Sequence, residues 1–532
     1  MRAAAFAAVL ALLLPAVAGA DCSDAAVSPA ALREAPPPEG DAVAVHGVVA
    51  ANFGGDNALG GLYVQATGSE PAGVFVYAPD RTAAELPPAG TRVRVSARSG
   101  RYHGRFQLEW VQRIERCGRA TLAPVALELP AATGRLTMLE DTLVRLDGPL
   151  VVTGNHDLGR YGSLRLAVGR RLHSSGGKRG LPAGVLLDDG RYTRDPRPVP
   201  YLDGNGTRRA GDRVYAVTGI LDRAFGAWRI HPVEPPRFAA GNPRARAPGR
   251  RGAWRVASLN LENYFITRGG RGAPTAASFR AQQRRLVAAL TALDADVLAL
   301  QEIENRPAAV RRLVAALNRS LPGARHYRSA AAGRDRGGAV LRNALLYRPS
   351  RFSVERVVLD QDRTHNRAPV AARLRDARGR RAWVVSVHFK SRGGCPAEGD
   401  VDRGAGCWAR RRTRQARALS VWLHGLAGGD RALVLGDFNT YPGEPPLRVL
   451  AGGRRLQALA VRHIPPGQRY SYVYRGRAGL LDHALATPGL AESVRGVRLW
   501  HINADEPPVA AGRGPWRSSD HDPLLVDLFP PR

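Results

Sequence analysis

The chain has 532 residues, with 78 Lys and Arg against 46 Asp and Glu, and a formal net charge of +32. That length buries several cores and fits three mature domains, and beyond residue 20 no stretch is apolar enough over a bilayer's width to give a spanning helix. The charge draws polyanions by counterion release and steering, screened beyond roughly 8 Å at physiological ionic strength. Lys178 and Lys390 are the only lysines, so GC-rich coding accounts for Arg over Lys but not for the excess over acids. Nucleic acid is the obvious polyanion; anionic membranes and surface polysaccharide carry the same attraction.

Arg2 precedes an apolar run over 3–17 and then Ala18, Gly19 and Ala20, the three parts of a secretory leader. The run is shorter than the roughly 20 residues of a membrane span. Cleavage after Ala20 and export of a soluble product are expected. Asp21, rather than a small residue, precedes Cys22, which argues against lipid attachment.

Residues 21–120 alternate short apolar runs with Gly-rich turns, as in Val45-His-Gly-Val-Val-Ala50, Gly61-Leu-Tyr-Val-Gln65, Gly73-Val-Phe-Val-Tyr77 and Thr91-Arg-Val-Arg-Val95. Strands this short at such intervals predict a small barrel or sandwich. Phe53, Tyr63, Phe75, Tyr77 and Tyr102 are either core or platforms for stacked bases. Residues 121–245 form a second β-rich region, with strand-like Thr142-Leu-Val-Arg-Leu146, Ser163-Leu-Arg-Leu-Ala167 and Val214-Tyr-Ala-Val-Thr-Gly-Ile220. Within it 172–200 reads as a long loop, and the Arg, Pro and Gly of 237–251 read as an exposed linker. No catalytic set falls in this region.

From 246 onward strands alternate with helices. Leu286, Leu290 and Leu293 recur at helical spacing before the apolar run 297–300, and Ala416, Leu419, Leu423 and Leu426 predict a helix over 410–426 with arginines outward. Between them, 392–408 carries Glu398, Asp400 and Asp402 and reads as a solvated hairpin; the sharper alternatives are a Ca²⁺ loop or a gate that repels misplaced phosphate. No aromatic hairpin suited to membrane insertion is evident. Cys22, Cys117, Cys395 and Cys407 suit two bridges in an oxidising compartment. Of three connectivities, Cys22–Cys117 with Cys395–Cys407 keeps each bridge inside one region. No close Cys or His pair has zinc-ligand spacing.

Four stretches set hydrophilic groups directly beside apolar runs: Ser-Leu-Asn260, Leu-Gln-Glu302, Gly-Asp437-Phe-Asn439 and Ser-Asp520-His521. A phosphodiester is anionic and repels nucleophiles, so its hydrolysis calls for a divalent cation. Mg²⁺ takes oxygen ligands, commonly one or two carboxylates, which suits Glu302. The attacking water must lose a proton, and an imidazole oriented by a carboxylate is the usual acceptor. His521 is the candidate base. Its neighbours Asp520 and Asp522 diverge from it along an extended chain, so Asp482, after the apolar Gly479-Leu-Leu481, is the chosen partner. Bland readings compete: a solvated turn for Asp520-His521, a side-chain-closed strand end for Gly436-Asp-Phe-Asn439, a cap for Asp482. The apolar residues 432–435 argue instead for a buried strand that aims Asp437.

The ordered set Asn260, Glu302, His388, Asp437-x-Asn439, Asp482 and Asp520-His521 resembles the endonuclease/exonuclease/phosphatase superfamily, which includes deoxyribonuclease I, over about 252–529. Val-Ala-Ser-Leu-Asn-Leu-Glu-Asn-Tyr-Phe265, Asn343-Ala-Leu-Leu-Tyr-Arg-Pro349, Ser386-Val-His-Phe-Lys-Ser391 and Gly406-Cys-Trp408 are most similar to bacterial extracellular nucleases with upstream β-rich domains. The resemblance implies an α/β (α+β) four-layer sandwich, two facing β-sheets flanked by helices, as a catalytic domain at 246–532. With the readings above, it sets a signal peptide at 1–20, an OB-like β-barrel domain at 21–120 and a second β-rich domain at 121–245.

The same resemblance implies site roles. Glu302 is the principal metal ligand, with Asn260 beside it and Asp520 as a further ligand. Asp437 activates or positions water, Asn439 holds a phosphoryl oxygen, and His521 pairs with Asp482. His388 contacts the scissile phosphate and helps protonate the leaving oxygen, and Arg367 grips phosphate through two parallel hydrogen bonds. Glu262 stands near the metal without binding it. Where deoxyribonuclease I has a glutamate behind its second histidine, Leu341 stands here, so the role of His388 carries over only if Asp335 or another acid substitutes. The expectation is a bacterial, secreted (extracellular or periplasmic) Mg²⁺-dependent endonuclease, with Mn²⁺ or Ca²⁺ as alternative cations. Its substrate is extracellular nucleic acid, DNA first, and no obligate protein partner is implied. The alternatives are a sphingomyelinase-like phospholipid phosphodiesterase or phosphomonoesterase on the same fold, and a non-catalytic adhesin that holds DNA.

Overall fold

The computed structural model describes residues 22–530 except 24, 69–70, 175–183, 331–338, 428–430, 454, 511 and 513. The expected leader at 1–20 and Asp335 lie outside the described residues. Among those described, no helix is long and apolar enough to cross a membrane.

Five strands, Ala42–Phe53, Gly61–Gln65, Gly73–Tyr77, Thr91–Tyr102 and Arg105–Arg119, close into a barrel in which the fifth inserts between the third and fourth. Alternation drives this: along Thr91–Tyr102, Val93, Val95 and Ala97 face inward while Arg92 and Arg98 stay in water. They meet Val45, Val64, Val76 and Leu108 in one core. Cys22–Cys117 ties the chain's first described residues to the fifth strand, and Cys395–Cys407 forms as well, so the expected pairing is the one present. Of the five candidate stacking rings, Tyr63 and Phe75 are core, packed with Leu143 and Ile220 of the next region, whereas Tyr102 is exposed.

The second region is a nine-stranded sheet whose core gathers Val144, Leu150, Leu166, Leu187, Val217 and Ile230. Two expectations fail here. Residues 172–200 are not a loop throughout: Val185–Leu187 joins the large sheet, and Leu172–His173 pairs in parallel with Arg477–Gly479. Nor is 237–251 a free linker, because Phe238–Ala239 forms the sheet's edge and the Arg244 guanidinium holds both carboxylate oxygens of Glu506 at 2.8 Å. Gly and Pro content signals irregular backbone, but says nothing of long-range partners that capture it.

Beyond residue 252 two six-stranded sheets face each other. The first runs Arg328–Ser329, Leu341–Tyr347, Val297–Glu304, Trp254–Tyr264, Leu524–Leu528, Val494–Leu499; the second runs Phe352–Leu359, Val370–Asp376, Arg381–His388, Ala432–Asp437, Asp482–Ala486, Gln457–Ala458. Period-two burial on both faces builds the layers. Val256, Leu433, Leu435 and Leu524 fill the space between the sheets, while Ala257, Leu298 and Leu300 pack under helices Ala276–Ala292 and Pro307–Arg319. On the far side Val385 and Val434 meet Leu419 and Leu423 of helix Ala409–Ala427, which matches the helix expected over 410–426. Each such fully buried aliphatic side chain contributes roughly 1.5–3 kcal/mol. Helix, sheet, sheet and helix are the four layers anticipated.

Candidate active site

In the second sheet His388, Asp437 and Asp482 stand in one cross-strand row: His388 pairs with Asp437 in parallel register, and Asp437 with Asp482 in antiparallel register. Gly436 makes that row possible. Its φ is 152°, and a Cβ there would lie 1.9 Å from the Val387 carbonyl oxygen, so only glycine lets the strand approach its neighbour. In the first sheet the register slips between Asn260 and Tyr264 and again between Leu300 and Ile303. Glu262, Asn263 and Glu302 there adopt φ of 51°, 55° and 59°. Such bulges re-aim side chains, and they concentrate beside active sites.

The two sheets are joined through Asp437. Asn260 Nδ2 donates to Asp437 Oδ2 at 3.2 Å, and Asn439 donates its N–H to Oδ1 at 2.8 Å and its Nδ2 to Oδ2 at 3.0 Å. Burial, and then the charges of Asp482 and Glu302, push the Asp437 carboxyl up to about 7 against the pull of His521. Glu302 accepts the Asn263 N–H at 3.0 Å and lies 3.8 Å from His388 Nε2, which itself sits 3.4 Å from Asp437 Oδ2.

The two histidines are held in opposite states. His521 Nδ1 is 2.7 Å from Asp482 Oδ2, and its Nε2 is 3.9 Å from Asp437 Oδ2. Burial opposes its charge, yet Asp482 and Asp437 outweigh burial and hold the imidazole well above its ordinary value. His388 is pushed well below by burial, with Arg367 and His521 adding to the effect. Its Nδ1 is buried and finds no hydrogen-bond partner among the described residues, as the hydrophobic Leu341 in place of an acid would lead one to expect.

Seven predicted residues therefore converge: Asn260, Glu302, His388, Asp437, Asn439, Asp482 and His521. Three lie around them. Arg367 donates to the Phe389 carbonyl at 2.8 Å, and feels the charges of Glu302 and Asp437. Glu262 is engaged by Arg517 at 2.8 and 3.1 Å, and burial raises its carboxyl against that pairing, with Asp520 and Glu302 adding to the rise. Asp520 is 3.4 Å from Ser519 Oγ.

Three supporting residues had no role in the sequence reading. Ser471 Oγ accepts the N–H groups of Leu481 and Asp482, both at 3.1 Å. Ser519 Oγ donates to the Asn260 carbonyl at 2.6 Å and accepts the His521 N–H at 3.1 Å, tying the histidine's turn to the metal-candidate strand. The Tyr472 ring lies 4.8 Å from that of His521. Only Ser519, inside the Ser-Asp-His triplet, carried a signal. In the 392–408 segment Asp400 caps the helix Ala409–Ala427 by accepting N–H groups of Arg410 and Arg411 at 2.9 and 2.8 Å, and Asp402 Oδ1 accepts those of Gly404 and Gly406. Both acids thus hold backbone N–H groups of the segment that leads into the helix.

Asp437, Asp482 and His521 offer ligand atoms within 4.8 Å of one another, and the Glu302 carboxylate and the Asn260 amide border that group through His388 and Asp437. Asp482 Oδ1 is buried without a partner among the described residues, and Asp437 is raised first by burial and then by the charges of Asp482 and Glu302. This is the donor chemistry of a hard divalent cation. The residues fit one.

A search of curated protein sequences finds no match to the chain. Solved structures similar in fold include an endonuclease/exonuclease/phosphatase from Bacteroides vulgatus (17% identity, 52% of this chain and 99% of that one, TM-score 0.38). A mannosyl-6-phosphatase from Bacteroides thetaiotaomicron is 18% identical over 52% of this chain and 99% of that one, with a TM-score of 0.37. TDP2 from D. rerio, complexed with a single-strand DNA product, is 15% identical over 51% and 97%, with a TM-score of 0.36. The family model described as Endonuclease/Exonuclease/phosphatase family matches residues 252–521, half of the chain. The chain belongs to the endonuclease/exonuclease/phosphatase family, whose members hydrolyse phosphoester bonds.

Proposed function

We propose that the protein is an exported, magnesium-dependent endonuclease that hydrolyses phosphodiester bonds of extracellular nucleic acid, DNA by preference, through in-line attack of water. The observation that carries this reading is the meeting of Asn260 and Glu302 from one sheet with His388, Asp437 and Asp482 from the other, capped by His521. Two disulfides suit an oxidising compartment. We read 21–120, an OB-like barrel, and 121–245 as separate domains before the catalytic one.

Glu302 would hold the cation, with Asn260 and Asp520 beside it; when bound, Mg²⁺ offsets phosphoryl charge and orients the scissile linkage. Asp437, with a carboxyl near neutrality, takes the proton of the attacking water. Asn439, whose Nδ2 donates to Asp437 Oδ2 and to the Phe389 carbonyl in the free protein, would turn one of those two donors onto a phosphoryl oxygen. His521, kept charged by Asp482, presents Nε2–H to the developing negative charge, which reverses the base role expected from sequence. His388 is neutral in the free protein, so it bonds phosphate through one N–H rather than delivering a proton. Arg367 grips the adjoining phosphate.

The net charge of +32 favours a polyanionic polymer over a phospholipid or a phosphomonoester. The test is a substrate panel of plasmid DNA, RNA, sphingomyelin and p-nitrophenyl phosphate, with Mg²⁺ or EDTA. Magnesium-dependent nicking of plasmid, with no turnover of the last two, is expected. Hydrolysis of sphingomyelin or the monoester alone would replace this reading.

A further inference from the structure

Two hairpin tips far along the chain from the catalytic residues carry rings where rings are costly. Pairing of Tyr102 with Arg105 leaves His103-Gly104 as a two-residue loop, and pairing of Ala224 with Ala227 leaves Phe225-Gly226. Such loops need positive φ, which Asn-Gly or Asp-Gly supplies with little strain; here His103 and Phe225 adopt 48° and 51°. Phe225 gains no burial in exchange, since it is 67% exposed. A strained, solvated aromatic ring calls for a ligand as its explanation.

The rings converge. Tyr102 and His103 have centroids 4.4 Å apart, and His103 and Phe225 5.8 Å apart, although they come from the barrel and the second region respectively. With Tyr192 they line a cleft of about 1030 Å³ whose walls also carry Arg191 and Arg194. The same four rings border a second cleft of about 500 Å³ that adds Arg101 and Arg223. This aromatic ridge is thus flanked on both sides by exposed guanidinium groups.

We propose that this ridge and its clefts bind single-stranded nucleic acid, with unpaired bases stacked on Tyr102, Tyr192 and Phe225 and phosphates held by the flanking arginines. It deepens the preceding reading, on which it rests for the substrate class alone. Stacking platforms take any base by its π-face, whereas a duplex hides those faces; the exposed charges at the ridge are Arg101, Arg191, Arg194 and Arg223, while Glu109, Asp157, Asp188 and Asp222 on the larger cleft's wall are half-buried or buried. The Phe225 tip is an exposed aromatic hairpin that the sequence reading did not single out, but arginines and carboxylates line both clefts around it. A membrane-inserting tip needs a contiguous apolar surface instead.

The test is fluorescence anisotropy of the full chain in EDTA with a labelled oligothymidylate, against a duplex, heparin and anionic phosphatidylserine vesicles. Phe225→Asn suits the turn better than the native residue, so it should keep or raise the melting temperature while weakening oligothymidylate binding about fivefold or more; Tyr192→Ala should weaken it similarly. Duplex affinity should stay within about twofold. Unchanged oligothymidylate affinity in both variants overturns the proposal, as does an equal loss for duplex and heparin, or a loss confined to vesicles. The assay reads no turnover, so a chain that bound the strand yet cleaved no diester would refute the proposed function and leave this site standing.

Discussion

Asp482 Oδ2 and His521 Nδ1 lie 2.7 Å apart in a buried pair, joined across 39 residues of chain. The charges of Asp482 and Asp437 hold the imidazole above its ordinary value, with Nε2 3.9 Å from Asp437 Oδ2; in the proposed function the ring is charged and Nε2–H is the donor. Asp482→Asn keeps the shape and removes the charge. It should lower kcat on plasmid DNA by about 10²–10⁴, and it should bring the pH at which activity is lost on the alkaline side down toward the ordinary histidine range. A pH–rate profile identical to that of the parent would remove this pair from the reaction.

Gly436 controls how closely Asp437 approaches His388. Gly436→Ala would place a methyl group 1.9 Å from the Val387 carbonyl oxygen at φ 152°. Relief requires the strands to part, with an expected stability loss of about 3 kcal/mol and a fall in kcat. Urea unfolding checks the first and plasmid nicking the second. An unaltered midpoint would show that the row tolerates a Cβ.

Asp400 caps helix Ala409–Ala427 through the N–H groups of Arg410 and Arg411, which predicts a structural role without calcium. Asp400→Ala should cost about 0.5–2 kcal/mol, measurable by thermal unfolding, and millimolar Ca²⁺ should shift parent and D400A/D402A alike. A calcium-induced rise confined to the parent would restore the cation reading of this loop.

His231 makes stability depend on pH well away from the catalytic row. Burial opposes its charge, but Asp188, 3.4 Å from Nδ1, and Asp222, hydrogen-bonded to Nε2 at 2.9 Å, prevail and raise its pKa to about 9. Because the folded value exceeds the unfolded one, the stabilisation is complete below about pH 6.5, declines as pH rises, and is gone above about 9. The shift corresponds to about 3 kcal/mol. Parent protein should therefore lose more stability between pH 6.5 and 9 than His231→Gln does. Parallel stability curves would contradict it.

Residues beside apolar runs were legible because a buried strand aims whatever follows it: Leu433 and Leu435 face the opposing sheet, and Asp437 emerges at the rim. The His521–Asp482 pair was legible only through chemistry and family resemblance, since nothing in the 38 intervening residues encodes a distance. Two kinds of information were missing. Cross-strand capture made strands of Leu172–His173 and Phe238–Ala239, whose own residues signal only irregular backbone. Environment also acts on protonation: the charges of Asp482 and Asp437 raise the His521 imidazole, which no local sequence pattern encodes. The Ser471 hydroxyl, supporting two successive N–H groups, has no local signature at all.

A magnesium titration of plasmid cleavage by parent, Glu302→Gln and His521→Ala enzymes separates the two agents that the site brings together. Glu302→Gln should require about tenfold or more additional Mg²⁺ for half-maximal activity, as loss of a ligating carboxylate demands. His521→Ala should keep the parental requirement while its saturated rate falls by about 10² or more. If Glu302→Gln saturates at the parental magnesium concentration, or His521→Ala retains the parental rate, the cation and the imidazolium do not act on one phosphodiester.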